Sequence, residues 1–310
     1  MSEQSQPILT EDMHMFDYWS GVYSPADQHI DSLRAAYDAF QQHYTLPRTD
    51  DMIVEDQVLH LPDHAIHLRT FCPEQDMPET GWPWIFYIHG GGNVVGSADS
   101  HEYIARQLAR DLQVKVFLPE YGLVPEFGWD QGQRDCLEAY CILIAQASVW
   151  NIAVNQAAIV ADGSGVAIAL AVQQALALSI QPQVQAFIFP SFMPQQNEVL
   201  PYSKASLVYQ VENQALMQDW TGIAVQHASR TFVSLKGDIV PSFVALTEFD
   251  LSASANQALI QQLEQLSSQV EVHRGMGLRA NCLPLLRDCP EVAAIYAALL
   301  QFLSPHFLEI

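Results

Sequence analysis

Residues 82–92 read WPWIFYIHGGG. An aromatic and β-branched run closed by glycines is what a strand buried on both faces looks like where it ends in a turn. Outward from it, strand and helix patterns alternate. A helical pattern near 100–112 leads to the strand VKVFLPEY at 114–121, and a helix over 131–149 leads to the strand AAIVAD at 157–162. A helix over 166–180 and the strand VQAFIFP at 184–190 follow, and the rhythm resumes with PSFVALTEFD at 241–250. A helix at 253–267, the strand QVEVHR at 269–274 and a closing helix at 290–303 complete it. Ahead of the opening run, alternation in IVEDQVLHL and AIHLRTF around Pro-Asp-His predicts a β-hairpin over 52–72. This order predicts an α/β fold with a doubly wound, mostly parallel sheet. In such sheets the chemistry sits beyond the carboxyl ends of the strands.

Two stretches fall outside the alternation. Residues 1–50 carry apolar positions at helical spacing in SPADQHIDSLRAAYDAFQQHY and are expected to form an N-terminal helical cap segment. Residues 191–235 open with the irregular SFMPQQNEVLPYS and are expected to be a cap insertion above the sheet, within a main domain spanning 51–310.

A chain of 310 residues with 49% hydrophobic content can bury one large core. Its 35 acidic against 13 basic residues give a net charge of -22. That charge repels a phosphate backbone and an anionic membrane surface, so neither nucleic acid nor membrane is expected as a partner. Five cysteines, with only Cys136 and Cys141 close in sequence, argue against a disulfide framework or a structural zinc site. No metal and no cofactor is expected. With no basic-then-apolar leader and no run of spanning length, the expected location is the cytoplasm.

The segment His89-Gly90-Gly91-Gly92, with Asn93-Val94-Val95-Gly96 and Asp99-Ser100-His101 after it, resembles the oxyanion loop of the hormone-sensitive-lipase-like carboxylesterases, an α/β-hydrolase-fold family. Glycines there let backbone N–H groups approach a developing oxyanion. Glu120-Tyr121-Gly122-Leu123-Val124-Pro125-Glu126 and the later Asp135 resemble the family's DYRLAPE stretch and its following Asp, with Gly122 where the family has arginine. Glu248-Phe249-Asp250 resembles the segment carrying the triad acid, and the resemblance implies that role for Asp250. Together these matches imply an esterase-like fold with a small helical cap. They also imply a small-molecule ligand or ester as partner, and a homodimer through the last strand and its neighbouring helix.

The nucleophile and base positions depart from the pattern. A serine nucleophile needs G-x-S-x-G at a strained strand-to-helix turn, and Ala161-Asp162-Gly163-Ser164-Gly165-Val166 does not contain it. Read without gaps, the flanking strand and helix put Gly165 at the nucleophile position and make Val166 an oxyanion donor. Sliding the register by two puts Gly163 there instead. Ser164 is the alternative nucleophile, with helix capping as its structural role. Likewise Gly277–Cys282 occupies the family's histidine motif with Ala280 at the base position. The expectation is a non-catalytic small-molecule-binding or regulatory homologue. The alternative is an active hydrolase of short acyl esters that uses Ser164 or a non-standard site.

Overall fold

Alternating exposure in Met52–His60 (β1) and Ala65–Pro73 (β2) builds the expected antiparallel hairpin at one edge of the sheet. The computed structural model describes residues 9–27, 29–61, 63–192, 234–250 and 252–307. Within them, eight strands lie in the order β1-β2-β4-β3-β5-β6-β7-β8. Here β3 is Trp82–Ile88, β4 Lys115–Glu120, β5 Ile152–Asp162, β6 Val184–Ile188, β7 Ser242–Phe249 and β8 Val270–Arg279. From β4 to β8 every pairing is parallel, so the strands point their carboxyl ends the same way.

All seven residues of β3 are buried, as a central strand with helices on both faces requires. Pro83 has no N–H to give the ladder, and the pairing of β3 with β5 shifts register there, between Trp82 and Trp84. Ile85 and Tyr87 pack with Ile104 and Leu108 of α3 (Glu102–Leu112) and with Leu299 and Leu303 of the closing helix (Pro290–Leu303). Trp84 and Phe86 point to the other face. They meet Ala139 and Tyr140 of α4 (Gln131–Ala145) and Leu170 of the helix Gly165–Ala175.

We number the short helix Ala147–Trp150 α5, Gly165–Ala175 α6, Ala253–Leu266 α7 and Pro290–Leu303 α8. The helix expected over 166–180 stops at Ala175, and Leu178–Ile180 forms a separate 3-10 turn. Strand β8 runs five residues beyond the expected Arg274, to Arg279. The N-terminal residues form α1 (Glu11–Val22) and α2 (Ile30–Gln42). The expected insertion at 191–235 lies almost wholly outside the described residues. Among the described residues, no helix is long and apolar enough to cross a membrane.

Candidate functional site

Strand β3 delivers His89-Gly90-Gly91-Gly92, and β5 delivers Asp162-Gly163-Ser164 into α6, side by side at the carboxyl ends of neighbouring strands. Gly163 has φ +52, the left-handed value a sharp strand-to-helix turn demands. Its N–H donates to Ile188 O at 3.0 Å, and its carbonyl accepts from Ser191 N at 3.0 Å. The apex of the turn is therefore Gly163. The gap-free expectation of Gly165 at that position is corrected by two observations. Gly165 is the first residue of α6, and a Cβ on it would overlap the carbonyl oxygens of Ile88 and His89. Hydrophobic patterning places a strand before the turn and a helix after it, but it does not register where the chain turns left-handed.

The correction carries the neighbouring assignments with it. Ser164, not Val166, follows the apex. The Val166 N–H reaches Gly163 O at 3.4 Å and its side chain is fully buried, so it offers no free donor. Ser164 precedes α6 in helical conformation and makes no side-chain cap bond, against the capping expectation. Its Oγ is buried without a hydrogen-bond partner.

The glycine loop is pinned from below. Asp162, beside the apex, accepts from Tyr87 Oη at 2.8 Å and from Gly90 N at 3.1 Å, and its other oxygen lies 3.5 Å from His101 Nε2. Burial alone would raise the Asp162 pKa, but the neighbouring His101 and the Tyr87 hydroxyl outweigh it and hold the carboxyl below its usual range. A Cβ on Gly90 would stand 2.6 Å from Asp162 Oδ2, which explains the need for glycine there. His89 Nδ1 is 2.8 Å from Gly90 O, and a carbonyl only accepts, so Nδ1 carries the proton. The ring stacks on Tyr121 at 4.3 Å and on His101 at 5.1 Å, and burial pushes its pKa down to about 3. His89 is thus a neutral, buried ring held against Tyr121 and His101. Among the described residues the N–H groups of Gly91, Gly92 and Ser164 have no hydrogen-bond acceptor.

The last two strands end beside the residues expected at the acid and base positions, Asp250 and Ala280. Phe249 of β7 pairs with Arg279 of β8, so Asp250 and Ala280 leave adjacent strand ends. Ala280 offers no proton acceptor. Asp250 is buried and accepts instead from Ser252 N at 2.7 Å and from Asn256 Nδ2 at 2.5 Å. Desolvation raises its pKa, partly offset by those two donors.

A model of the alpha/beta hydrolase fold matches residues 85–280, from β3 through Ala280. The chain belongs to that family. An ethyl acetate hydrolase from Pseudomonas putida is 28% identical over 221 residues, covering 67% of this chain and 69% of the relative. Among solved structures, a thermostable esterase from Pseudomonas putida ECU1011 superposes with TM-score 0.78 at 16% identity, covering 100% of both chains. An ester hydrolase from the Lake Arreo metagenome, in complex with a bipyridine phosphonate derivative, gives 0.79 at 20%, covering 97% of this chain and 99% of that one. The Francisella virulence factor BioJ gives 0.75 at 17%, covering 93% and 98%. These likenesses are of fold, and the sheet order and elbow described above are that alpha/beta hydrolase fold.

One feature of this family member escaped the sequence. Asp135, facing Gly122 where the family has arginine, receives His64 Nε2 at 2.9 Å from the β1–β2 turn. A histidine on a hairpin some seventy residues away carries no local sequence signal.

Proposed function

We propose that this chain is a non-catalytic member of the esterase lineage that binds a small molecule, or serves a regulatory partner, at the strand ends around Gly163. The observation carrying this reading is the glycine at the apex of the turn. A serine hydroxyl becomes a nucleophile only when a base in hydrogen-bond reach removes its proton. At Gly163 there is no hydroxyl, and at Ala280 there is no base. What persists is the set of N–H donors on Gly91, Gly92 and Ser164, suited to a ligand's carbonyl or carboxylate oxygen. Burial raises the Asp250 pKa, so its negative charge is disfavoured there and opposes such a ligand less than an exposed carboxylate would.

A second reading, hydrolysis of short acyl esters by Ser164, draws on its buried and unpartnered hydroxyl. That same lack of a partner leaves it without an activating base. The deciding experiment is hydrolysis of p-nitrophenyl acetate and butyrate, with fluorophosphonate labelling, by the parent and by Ser164→Ala. The first reading expects no turnover and no label in either protein. Turnover or stoichiometric label that disappears in Ser164→Ala would establish the second. We further propose a cytoplasmic location, supported by five free cysteines. A homodimer through β8 is supported by its place at the sheet edge with Val272 and Met276 exposed.

A further inference from the structure

We infer that His64 is a positioning residue for the glycine loop, a titratable brace that makes the placement of the Tyr121–Val124 loop depend on pH. Asp135 is buried and its carboxylate needs donors. It accepts from Gly122 N at 2.8 Å, from Gln131 Nε2 at 2.6 Å and from His64 Nε2 at 2.9 Å. The other ring nitrogen of His64, Nδ1, lies 2.8 Å from Asp63 Oδ1. Carboxylates only accept. Both contacts can be hydrogen bonds at once only when both nitrogens carry protons, that is, in the imidazolium. The geometry thus assigns a cation to the position facing Asp135. Consistently, the bonds to Asp63 and then Asp135 raise the His64 pKa above its ordinary value.

The brace reaches the glycine loop through two short steps. Asp135 holds the N–H of Gly122, and the preceding residue, Tyr121, donates to His89 O at 2.7 Å and stacks on the His89 ring. Further along the same loop, Val124 N donates to Asn93 O at 2.9 Å, just past the three glycines. A side chain at 122 has no ready space, because a Cβ there would stand 2.8 Å from Gln131 Cγ and 3.0 Å from Phe127 Cγ. The cation therefore comes from the hairpin.

Several other charges face this group. Asp63 is on its own turn and exposed, Asp135 is on α4, and Arg134, also on α4, acts on Asp63 while pairing with Asp130. Tyr121 and Cys136, their pKa values pushed up by burial, stay protonated through the neutral range. When His64 loses its proton, the Nε2–H can remain on the buried Asp135 while the exposed Asp63 contact is given up. The charge facing Asp135 disappears all the same. The sign follows: a histidine with a raised folded pKa stabilises the native state below the unfolded value, and the contribution is lost as pH rises through the folded one.

The test is an imidazole NMR titration of the full chain combined with hydrogen exchange, corrected for intrinsic rate, in peptides covering 89–96 and 121–126. Wild type is compared with His64→Gln, neutral, and His64→Lys, permanently charged. The expected results are a His64 pKa above 6.5 and a several-fold loss of protection in both peptides as pH rises through it. His64→Gln should show no step and low protection, and His64→Lys no step and restored protection. A His64 pKa at or below the ordinary value, or a step that survives in His64→Gln, would overturn the proposal. Should His64→Gln not fold, the wild-type titration and the His64→Lys profile still decide.

Discussion

The Cα of Gly90 stands 3.5 Å from the point that a Cβ on Gly163 would occupy, and among the described residues no other heavy atom outside its chain neighbours lies within 4 Å of it. The loop glycine and the elbow glycine leave between them the space of a small side chain. Gly163→Ser should therefore fold, losing about 1–2 kcal/mol because an L-residue is held in the left-handed region. Gly165→Ala should lose about 3 kcal/mol or more, because its methyl would be driven into the backbone of Ile88 and His89. Urea unfolding of the two variants checks the order, and equal losses would return the apex to Gly165.

Restoring chemistry needs both missing groups. Because Asp250 and Ala280 leave paired strand ends, a histidine at 280 starts next to a carboxylate that can orient it. Gly163→Ser/Ala280→His should hydrolyse p-nitrophenyl acetate at least about 100-fold faster than the parent, the lower range for a positioned acid-base group. Each single variant should stay near the parent, since triad members act as a unit. A double variant as inert as the parent would mean that Asp250 cannot leave Ser252 and Asn256.

Much of this was legible in the sequence, for reasons that differ by element. The buried run of β3 and the hairpin around Pro-Asp-His were readable because burial writes itself as apolar continuity or as alternation. The glycine loop was readable because only glycine tolerates the approach of Asp162 to Gly90. The turn apex was not, because a left-handed φ at Gly163 and a close approach at Gly165 both demand glycine and look alike as letters. The capping role expected of Ser164 failed because the donors near it are directed elsewhere. His64 was invisible because its partner is distant in the chain.

Asp162 is the anion on which the loop rests. Asp162→Ala leaves the Tyr87 hydroxyl, the Gly90 N–H and the buried His101 without their acceptor, which should cost about 3–5 kcal/mol. Its pH signature is that of a depressed acid. The stabilisation is present above the unfolded value of 3.8 and is lost as pH falls through the lower folded value. Chemical denaturation at neutral pH and below pH 3.8 checks both, and a loss below about 1 kcal/mol, the scale of one ordinary hydrogen bond, would make the contact incidental.

Asp250 should behave in the opposite sense. In the unfolded chain it titrates near 3.8, and burial raises it in the folded protein. Its neutral form is therefore favoured by folding, and its contribution to stability is full below the unfolded value and lost as pH rises through the folded one. Asp250→Asn stays neutral throughout and can still accept from Ser252 N or Asn256 Nδ2 through its amide oxygen. The stability of wild type minus that of Asp250→Asn should accordingly decrease from about pH 4 to about pH 7, while the other carboxylates cancel in the difference. Paired urea titrations at the two pH values measure it. If wild type instead gains on the variant as pH rises, the carboxylate is ionised and its two donors outweigh burial. The strand ends around Asp250 would then carry a fixed negative charge, and an amine-bearing ligand would suit them better than a carboxylate.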